Sequence, residues 1–405
     1  MSDRYPGGLI RKTPPTITPP SGGEGGSASG IWTMDQVAYY IKEGTWPKPV
    51  LPKELYSWGR GSFGTVGDNT TTTASSPVQV GADTNWSVIF GGSYANYAIK
   101  NGALYAWGLG SNGALGLNSI TSMSSPTQIG ALTNWASGEG GKEFAHAIKI
   151  DGTLWGWGIN GEGQLGQNDT ISYSSPVQIG SDTWSKVSGN LDFTLLVKTD
   201  GTLWSMGINN YGELGHNDTT RRSSPTQIGS DTNWSAVSAG NSGSVALKTN
   251  GTLWAWGIGG YGIGGNSDII DRSSPVQVGA LTTWDKVYMA NLTVFAVKTD
   301  GTLWAWGYGS WGLCGQNDIV PRSSPVQIGA RTDWSDVKAT GNAAIAVTTT
   351  GELYTWGDNG NGQLGQNIGS IVDRSSPVQV GALTTWLKIS GGANAGSNFM
   401  ALKTT

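Results

Sequence analysis

The sequence predicts an all-β protein, a seven-bladed β-propeller closed by a two-plus-two strand clasp, with an extended N-terminal arm and one short helix. Three observations lead to this fold. A unit of about 50 residues recurs along the chain, as repeat architectures require. Each unit carries four short strand-like segments. The first and last units are incomplete in complementary ways.

The glycine of a Trp-Gly dipeptide marks the repeat most clearly. It recurs every 49 or 50 residues, at Gly59, Gly108, Gly158, Gly207, Gly257, Gly307 and Gly357. Met206 replaces the tryptophan in the fourth unit. The proline of a Ser-Ser-Pro triplet recurs in step, at Pro77, Pro126, Pro176, Pro225, Pro275, Pro325 and Pro377. A further tryptophan precedes each first strand, at Trp86, Trp135, Trp184, Trp234, Trp284, Trp334 and Trp386. These positions favour aromatic packing between units over a ligand cage.

The fourth unit illustrates the four predicted strands. Residues 184–189 form the first, and residues 193–207 form two strands joined at Asp200-Gly201, a strong hairpin signal. A glycine-rich loop follows. The fourth strand is predicted to begin at Pro225 and to lie at the outer edge, because proline cannot donate to a ladder. Helical periodicity is absent from these units.

The chain ends are predicted to share one blade. The first unit starts at residues 54–59, which match the third strand of a blade, and the last unit stops at residues 399–405, which match the second. Two strands from each end would therefore complete one blade and close the ring. This places Thr404 and Thr405 close to Lys53 and Glu54.

The varied loops are predicted to gather at one end of the ring. Alternating strand direction puts the connections between first and second strands, and between third and fourth strands, at that end. Varied loops on a rigid scaffold are common binding sites, although drift of solvent-exposed loops remains an alternative. The candidate binding residues are Tyr94, Asn96, Lys142, Glu143, Asp192, Phe193, Tyr211, Tyr261 and Trp311.

Residues 1–50 match no repeat and form the predicted arm, leaving residues 51–405 for the propeller. The first 30 residues are rich in Pro, Gly, Ser and Thr, which favours an extended or flexible path. A short helix is predicted over about residues 33–44, because Thr33 and Gln36 form a capping box and Gly44 suits the C-terminus. Its apolar residues are candidates for partner binding, namely Ile31, Trp32, Met34, Val37, Ile41 and Trp46. Packing on the chain's own propeller is the alternative.

Composition argues against several classes of function. Charged residues make up 13% and the net charge is −4, which does not suit nucleic-acid binding. No apolar run is long enough for a membrane span. The two histidines lie in different units and Cys314 stands alone, so we expect no catalytic residues, no metal site, no cofactor and no enzymatic activity.

The repeat resembles the regulator of chromosome condensation type repeat. Residues 297–307, VKTDGTLWAWG, show the pattern that recurs over residues 51–405. The resemblance implies a seven-bladed propeller. It does not imply one activity, because relatives include a nucleotide-exchange factor that binds chromatin, a plant ultraviolet receptor and a secreted β-lactamase inhibitor.

The arm resembles a segment near the N-terminus of many tailed-bacteriophage virion proteins. The matching residues are Gly30, Trp32, Thr33, Gly44, Trp46 and Pro47. The resemblance implies a non-enzymatic virion structural protein, made in the host cytoplasm, whose arm binds other virion proteins. The propeller would be a decoration, fibre or host-contact module, present in several symmetric copies and facing a host-surface protein or glycan. The alternative is a bacterial protein-binding propeller, an inhibitor or adaptor, with an unrelated tail.

Overall fold

The computed structural model describes residues 51–367, 372–392 and 398–405. The predicted helix at about 33–44 and the candidate arm residues lie outside this range. Lys53–Thr405 form one compact unit of short β-strands. These are β1 (Lys53–Gly59), β2 (Ala74–Gln79), β3 (Trp86–Gly91), β4 (Ala95–Lys100), β5 (Ala103–Gly108), β6 (Met123–Gln128), β7 (Trp135–Gly140), β8 (Phe144–Lys149), β9 (Thr153–Gly158), β10 (Tyr173–Asn190), β11 (Phe193–Lys198), β12 (Leu203–Gly207), β13 (Arg222–Gln227), β14 (Trp234–Ala239), β15 (Gly243–Lys248), β16 (Leu253–Gly257), β17 (Arg272–Gln277), β18 (Trp284–Ala290), β19 (Thr293–Lys298), β20 (Leu303–Gly307), β21 (Arg322–Gln327), β22 (Trp334–Ala339), β23 (Ala343–Thr348), β24 (Leu353–Gly357), β25 (Arg374–Gln379), β26 (Trp386–Gly391) and β27 (Asn398–Thr404). Three 3-10 turns lie at Ser62–Gly64, Ser111–Gly113 and Ser310–Gly312.

These strands form seven antiparallel blades, which confirms the predicted fold class. Five blades are separate four-stranded sheets, and one seven-stranded sheet contains two blades joined through β10. The first part of β10 pairs with β9 as an outer strand, and its last part pairs with β11 as a first strand. The connector at this point, residues 180–183, is one residue shorter than its equivalent at 229–233, so the chain continues straight into the next blade.

Blade one is the predicted clasp between the two chain ends. Its strand order is β2-β1-β27-β26. Lys53 pairs with Thr404 and Glu54 with Lys403, as the incomplete terminal units predict. The other blades follow in chain order, from blade two (β3–β6) to blade seven (β22–β25). The ring of blades is therefore continuous between Lys53 and Thr404.

Each blade has two distinct ends, which we call the loop end and the turn end. In blade five, Ile258 N donates to Ser242 O at 2.9 Å, which joins the two long connections at the loop end. At the turn end, Gly251 O in the hairpin turn of blade five accepts a hydrogen bond from Trp284 N of blade six at 3.2 Å. The hairpin turn and the connector between blades therefore meet at the turn end.

The hydrogen bonds at the turn end run from each first strand back to the hairpin turn of the preceding blade. Trp234 N of blade five, for example, donates to Gly201 O in the hairpin turn of blade four at 3.0 Å. Thr249 N of the blade-five turn also donates to Asn233 O of the connector at 2.8 Å. Hairpin turns and connectors therefore lie together at the turn end.

Adjacent blades are joined by the two repeat motifs. The Trp-Gly tryptophan reaches back to the preceding blade, as Trp256 Nε1 donates to Glu213 O at 2.7 Å. The long loop of each blade also forms a hydrogen bond with the Ser-Ser-Pro segment of the next blade. Asn317 N of blade six, for example, donates to Ser375 O of blade seven at 2.8 Å. A Cβ on Gly312 would lie 2.3 Å from Ser375 Cα. The predicted packing of these tryptophans between units is therefore correct.

The predicted start of the outer strand is wrong. Strand β13 begins at Arg222 and contains Pro225 within it. Its register with β12 shifts between the Ser205–Thr226 and Gly207–Arg222 pairs, so the ladder is irregular where the proline lies. An edge strand tolerates proline at such an irregularity because no ladder donor is needed there.

His146 is an unusual member of the core between blades. Its side chain is fully buried, and neither ring nitrogen has a hydrogen-bond partner. The residue pairs with Gly156, where a Cβ would lie 3.0 Å from His146 Cδ2. Other blades carry apolar residues at the histidine position, such as Leu195 and Phe295. Burial lowers the pKa of His146 from 6.5 to about 3.

This burial predicts an acid-sensitive core. The folded pKa lies below the unfolded one, so stability is complete above pH 6.5 and falls as the pH drops towards 3. At pH 5 the loss relative to pH 8 is about 2 kcal/mol from this residue. We expect His146→Leu to remove that loss, measured by urea unfolding at both pH values. His146→Gln is the control, because it removes titration but keeps a buried polar group. An unchanged pH dependence in both variants would contradict the prediction.

Candidate functional site

The turn end is occupied by a repeated structural motif. In blade five, Lys248 Nζ lies 4.6 Å from the Trp234 ring centroid, 4.1 Å from that of Trp254, and 2.7 Å from Asp231 Oδ2. An ammonium group over the face of an aromatic ring is attracted electrostatically by that ring, and here it lies near two rings. The equivalent lysines that also lie over an aromatic ring are Lys100, Lys149, Lys198, Lys298 and Lys403.

Blade seven reaches the same arrangement with a different residue. Thr348 stands at its lysine position, and Arg331 from the connector supplies the cation instead. The Arg331 guanidinium carbon lies 5.0 Å from the Tyr354 ring centroid, and Nη2 lies 2.8 Å from Asp333 Oδ2. The chain thus keeps an aromatic ring, a carboxylate and a cation together even where the sequence has changed. A cation therefore packs on an aromatic ring at the turn end of each of the seven blades.

The loop end carries the chemical variety. The fourth residue after each Trp-Gly glycine lies at the tip of the long loop, and we call this position the slot. The slot residues are Phe63, Asn112, Glu162, Tyr211, Tyr261, Trp311 and Asn361 in blades one to seven. Four of them are aromatic, and each of these four is between 41% and 44% exposed. The loop end therefore presents large aromatic side chains to solvent.

Blades two to four form a polar sector of the loop end. Glu143 accepts hydrogen bonds from Ser111 Oγ at 2.8 Å and from Asn112 Nδ2 at 2.6 Å, which ties the blade-two slot to blade three. Lys142 is exposed and Asp192 is partly buried. Burial raises the pKa of Asp192, which Lys142 opposes and the nearby Glu162 and Glu143 carboxylates support. These candidate residues therefore share one electrostatic environment.

Blades four to six form an aromatic sector, with Tyr211, Tyr261 and Trp311 in successive slots. Tyr211 N donates to Glu213 Oε2 at 2.6 Å, a hydrogen bond that stabilises the tip of this loop. The Tyr261 ring lies 5.0 Å from that of Tyr308 in an edge-to-face contact. Trp311 has a left-handed backbone, with φ of 62°, which is unusual for a bulky residue.

Phe63 is a further aromatic slot residue, in blade one, and sequence analysis missed it. Its ring lies 6.1 Å from that of the candidate Tyr94, and the Arg60 guanidinium carbon lies 5.6 Å from the same tyrosine ring. Aligning residues 60–64 with residues 308–312 would have found Phe63 opposite Trp311. Like Trp311, Phe63 has a left-handed backbone, with φ of 63°.

Two of the candidate binding residues are corrected by the structure. Asn96 is 2% exposed, and its Nδ2 donates to Thr65 O of the preceding blade at 2.7 Å. Phe193 is fully buried, in the core between blades four and five. Phe193 is the first residue of β11 and Asn96 is the second residue of β4, and each side chain contacts a neighbouring blade. They hold the loop end in place and are not available to a partner.

Within residues 51–367, 372–392 and 398–405, no group of three or more His, Cys, Asp or Glu side chains is placed to hold a metal ion. Cys314 is buried. No helix in the same ranges is both long and apolar enough to cross a membrane. The arm candidates Ile31, Trp32, Met34, Val37, Ile41 and Trp46 lie outside the described residues.

Comparison with known proteins gives one family and several similar structures. The sequence model of the RCC1-like domain matches residues 52–339, and models of the regulator of chromosome condensation (RCC1) repeat match residues 334–363 and 350–395. A comparison with curated protein sequences gives no match. Human WBSCR16 superposes with a TM-score of 0.77 at 18% identity, covering 87% of this chain and 99% of that one.

A second similar structure is Prp20p from Saccharomyces cerevisiae, whose binding to Gsp1p and histones is described with its crystal structure. It superposes with a TM-score of 0.77 at 17% identity, covering 88% of this chain and 92% of that one. At this level of identity the likeness shows the propeller fold alone.

Proposed function

This chain belongs to the RCC1-like domain family, and we propose that it is a non-enzymatic bacteriophage virion protein. In this proposal the arm, residues 1–50, attaches to other virion proteins and the propeller, residues 51–405, is displayed as a decoration, fibre or host-contact module. The protein is made in the host cytoplasm and resides in the virion, in several symmetric copies. Its loop end contacts a host-surface protein or glycan. An RCC1-like propeller suited to protein binding is the part of this function that the family supports.

One observation carries the virion assignment, the pattern of the arm. Gly30, Trp32 and Thr33 lie at the start of the predicted helix, and Gly44, Trp46 and Pro47 lie at its end. This order resembles the N-terminal segment of many tailed-bacteriophage virion proteins, in which such an arm attaches an outer domain to the particle.

The chain enters the propeller at one end and the varied loops lie at the other, which supports different roles for the two ends. Lys53, the first residue of the ring, lies at the turn end, where its N donates to Thr84 O of a connector at 2.5 Å. The varied loops lie at the opposite end of the blades. In the proposal, the loop end contacts the second partner. Loops on a rigid scaffold are suited to that role.

Deleting the arm tests the proposal. We expect the full chain to be incorporated into particles and residues 51–405 to be folded but absent from them, because the ring closes between Lys53 and Thr404 without the arm. Particles are purified from cells that express either form, and incorporation is measured by quantitative mass spectrometry. A second variant carries Trp32→Ala and Trp46→Ala in the full-length chain. We expect these two changes to reduce incorporation without removing the arm. Normal incorporation of residues 51–405 would contradict the proposed anchor and favour an inhibitor or adaptor with an unrelated tail.

A further inference from the structure

The contact between blades three and four shows which residue of the next blade faces a slot. Glu162 occupies the slot of blade three, and its Oε2 accepts a hydrogen bond from Arg221 Nη1 of blade four at 3.0 Å. Arg221 stands two residues before Ser223, whose O accepts a hydrogen bond from Asn168 N at 2.7 Å. We call the slot residue and its partner in the next blade a joint. The same backbone contacts recur around the ring, so each blade boundary has such a joint.

Two joints combine an exposed aromatic ring with a carboxylate. Asp271 of blade five and Asp373 of blade seven stand two residues before Ser273 and Ser375, the position that Arg221 occupies in blade four, and so belong to the joints of Tyr211 and Trp311. The backbones of these joints are fixed like that of Glu162, because Asn217 N donates to Ser273 O at 2.6 Å and Asn317 N donates to Ser375 O at 2.8 Å. Trp311 and Asp373 line one open cleft of about 460 Å³, together with Ser310, Ile319 and Ser375. This volume suits a single inserted side chain or a small ligand.

Both carboxylates are held in position but retain free acceptor capacity. Asp373 Oδ1 accepts a hydrogen bond from Asn359 N at 2.9 Å, and Asp271 Oδ1 accepts one from Gly259 N at 2.7 Å. Both residues are exposed, and within the described parts of the chain neither forms a salt bridge. A carboxylate can accept several hydrogen bonds, and the second oxygen of each has no donor among residues 51–367, 372–392 and 398–405.

Packing and backbone preference do not account for Trp311. Its side chain is 44% exposed, and its φ of 62° lies in the left-handed region. A bulky residue in this region costs about 1–2 kcal/mol, and asparagine, as at Asn112 with φ of 53°, is accommodated more easily. Strain of this kind at an exposed residue motivates the hypothesis of a functional contact.

The chain itself shows which group fits an aromatic ring beside a carboxylate. At the turn end Arg331 lies over Tyr354 and pairs with Asp333, and Lys248 lies over two tryptophans and pairs with Asp231. At the loop end, Trp311 and Asp373 have no such cation over them within the described residues. We propose that the Trp311–Asp373 and Tyr211–Asp271 joints bind cationic side chains of a protein partner, with arginine preferred.

Arginine is preferred over lysine for two reasons. A planar guanidinium can stack on the Trp311 ring while it donates two hydrogen bonds to one carboxylate, whereas an ammonium is a point charge. The net charge of −4 also favours approach of a basic partner. This inference rests on the loop-end binding in the proposed function, but not on the arm or on a particle.

The test is a titration of the full-length chain with 15N-labelled tryptophan side chains. The probe is the peptide acetyl-Gly-Ser-Arg-Ser-Gly-amide, and its matched control contains citrulline, which has the same shape as arginine without the charge. The Trp311 indole signal is assigned by its loss in Trp311→Ala. We expect the arginine peptide to shift this signal, and citrulline or Asp373→Asn to weaken binding about tenfold, the loss of one charge-assisted contact. Asp358→Asn, in the same blade but outside the joint, should leave affinity unchanged.

Three outcomes would overturn the inference. These are no shift with the arginine peptide, equal affinity for the citrulline peptide, and equal weakening by Asp358→Asn and Asp373→Asn. A shift with maltohexaose but not with the arginine peptide would assign the cleft to a saccharide and also overturn it. The titration uses the isolated protein, so its result is independent of whether the chain enters a particle.

Discussion

Removing Phe399–Thr405 should abolish cooperative folding of the propeller. These residues form most of β27, which joins β26 to β1 in the clasp. Phe399, Met400 and Leu402 are at most 1% exposed, and burial of a large apolar side chain contributes about 1.5–3 kcal/mol. The summed loss of about 5–9 kcal/mol is comparable with the whole stability of many domains. Strands β1 and β26 would also lose their shared ladder partner.

The measurement is thermal unfolding followed by circular dichroism, together with size-exclusion chromatography. Removal of Thr405 alone is the control, because this residue is exposed and lies beyond β27. We expect the control to unfold like the full chain and the seven-residue truncation to lack a cooperative transition. A truncated protein that keeps its transition within a few degrees would show that blade one does not close the ring.

Gly312→Ala should weaken the boundary between blades six and seven. Gly312 has φ of +76°, and an added Cβ would lie 2.3 Å from Ser375 Cα. The left-handed backbone costs an alanine about 1–2 kcal/mol, and the steric contact adds about 1–3 kcal/mol. The backbone atoms of Ser375 cannot move without disturbing β25. We therefore expect a total loss of about 2–5 kcal/mol in the free energy of unfolding.

Gly329→Ala separates the two contributions. Gly329 has φ of +59°, but nothing lies within 4 Å of its added Cβ. Urea unfolding should show a larger loss for Gly312→Ala than for Gly329→Ala, by the steric cost of about 1–3 kcal/mol. Equal losses in the two variants would mean that the joint between blades six and seven can open to admit a side chain.

The fold could be predicted from the sequence because its main signals are periodic. The Trp-Gly and Ser-Ser-Pro motifs recur at almost constant spacing, and the structure shows that both make contacts between blades, through residues such as Trp256 and Ser375. The clasp followed from two incomplete units. The spacing of the motifs and the incomplete first and last units can be read directly from the order of residues along the chain.

The binding surface was harder to predict because it depends on contacts between blades. Asp373 and Trp311 are far apart in the sequence, and only the joint places them in one cleft. Asn96 and Phe193 lie next to varied loops, yet the start of a second strand turns their side chains inward. Arg331 could not be identified as the substitute cation without knowing that its connector passes over Trp334.

The start of the outer strand was mispredicted for a similar reason. Proline indicates an outer strand because it cannot donate to a ladder, but it does not mark the residue at which that strand begins. An outer strand has one free edge, so Pro225 can lie inside β13 at an irregularity in the ladder. The sequence shows the missing donor but not whether a partner strand needs it.

The arm and the loop end give the protein two separate surfaces under the proposed function. The ring begins at the turn end with Lys53, and the aromatic and polar sectors lie at the loop end. The proposal assigns these two roles to different residues, Trp32 and Trp46 in the arm and Trp311 and Asp373 in the propeller. Changes in one should leave binding through the other intact.

Mass spectrometry of purified virus particles from the source of this chain tests the proposed function most directly. We expect peptides from both the arm and the propeller at a constant ratio to the major particle proteins through successive purification steps. Absence of the chain from the particles, or its loss during purification, would contradict the account.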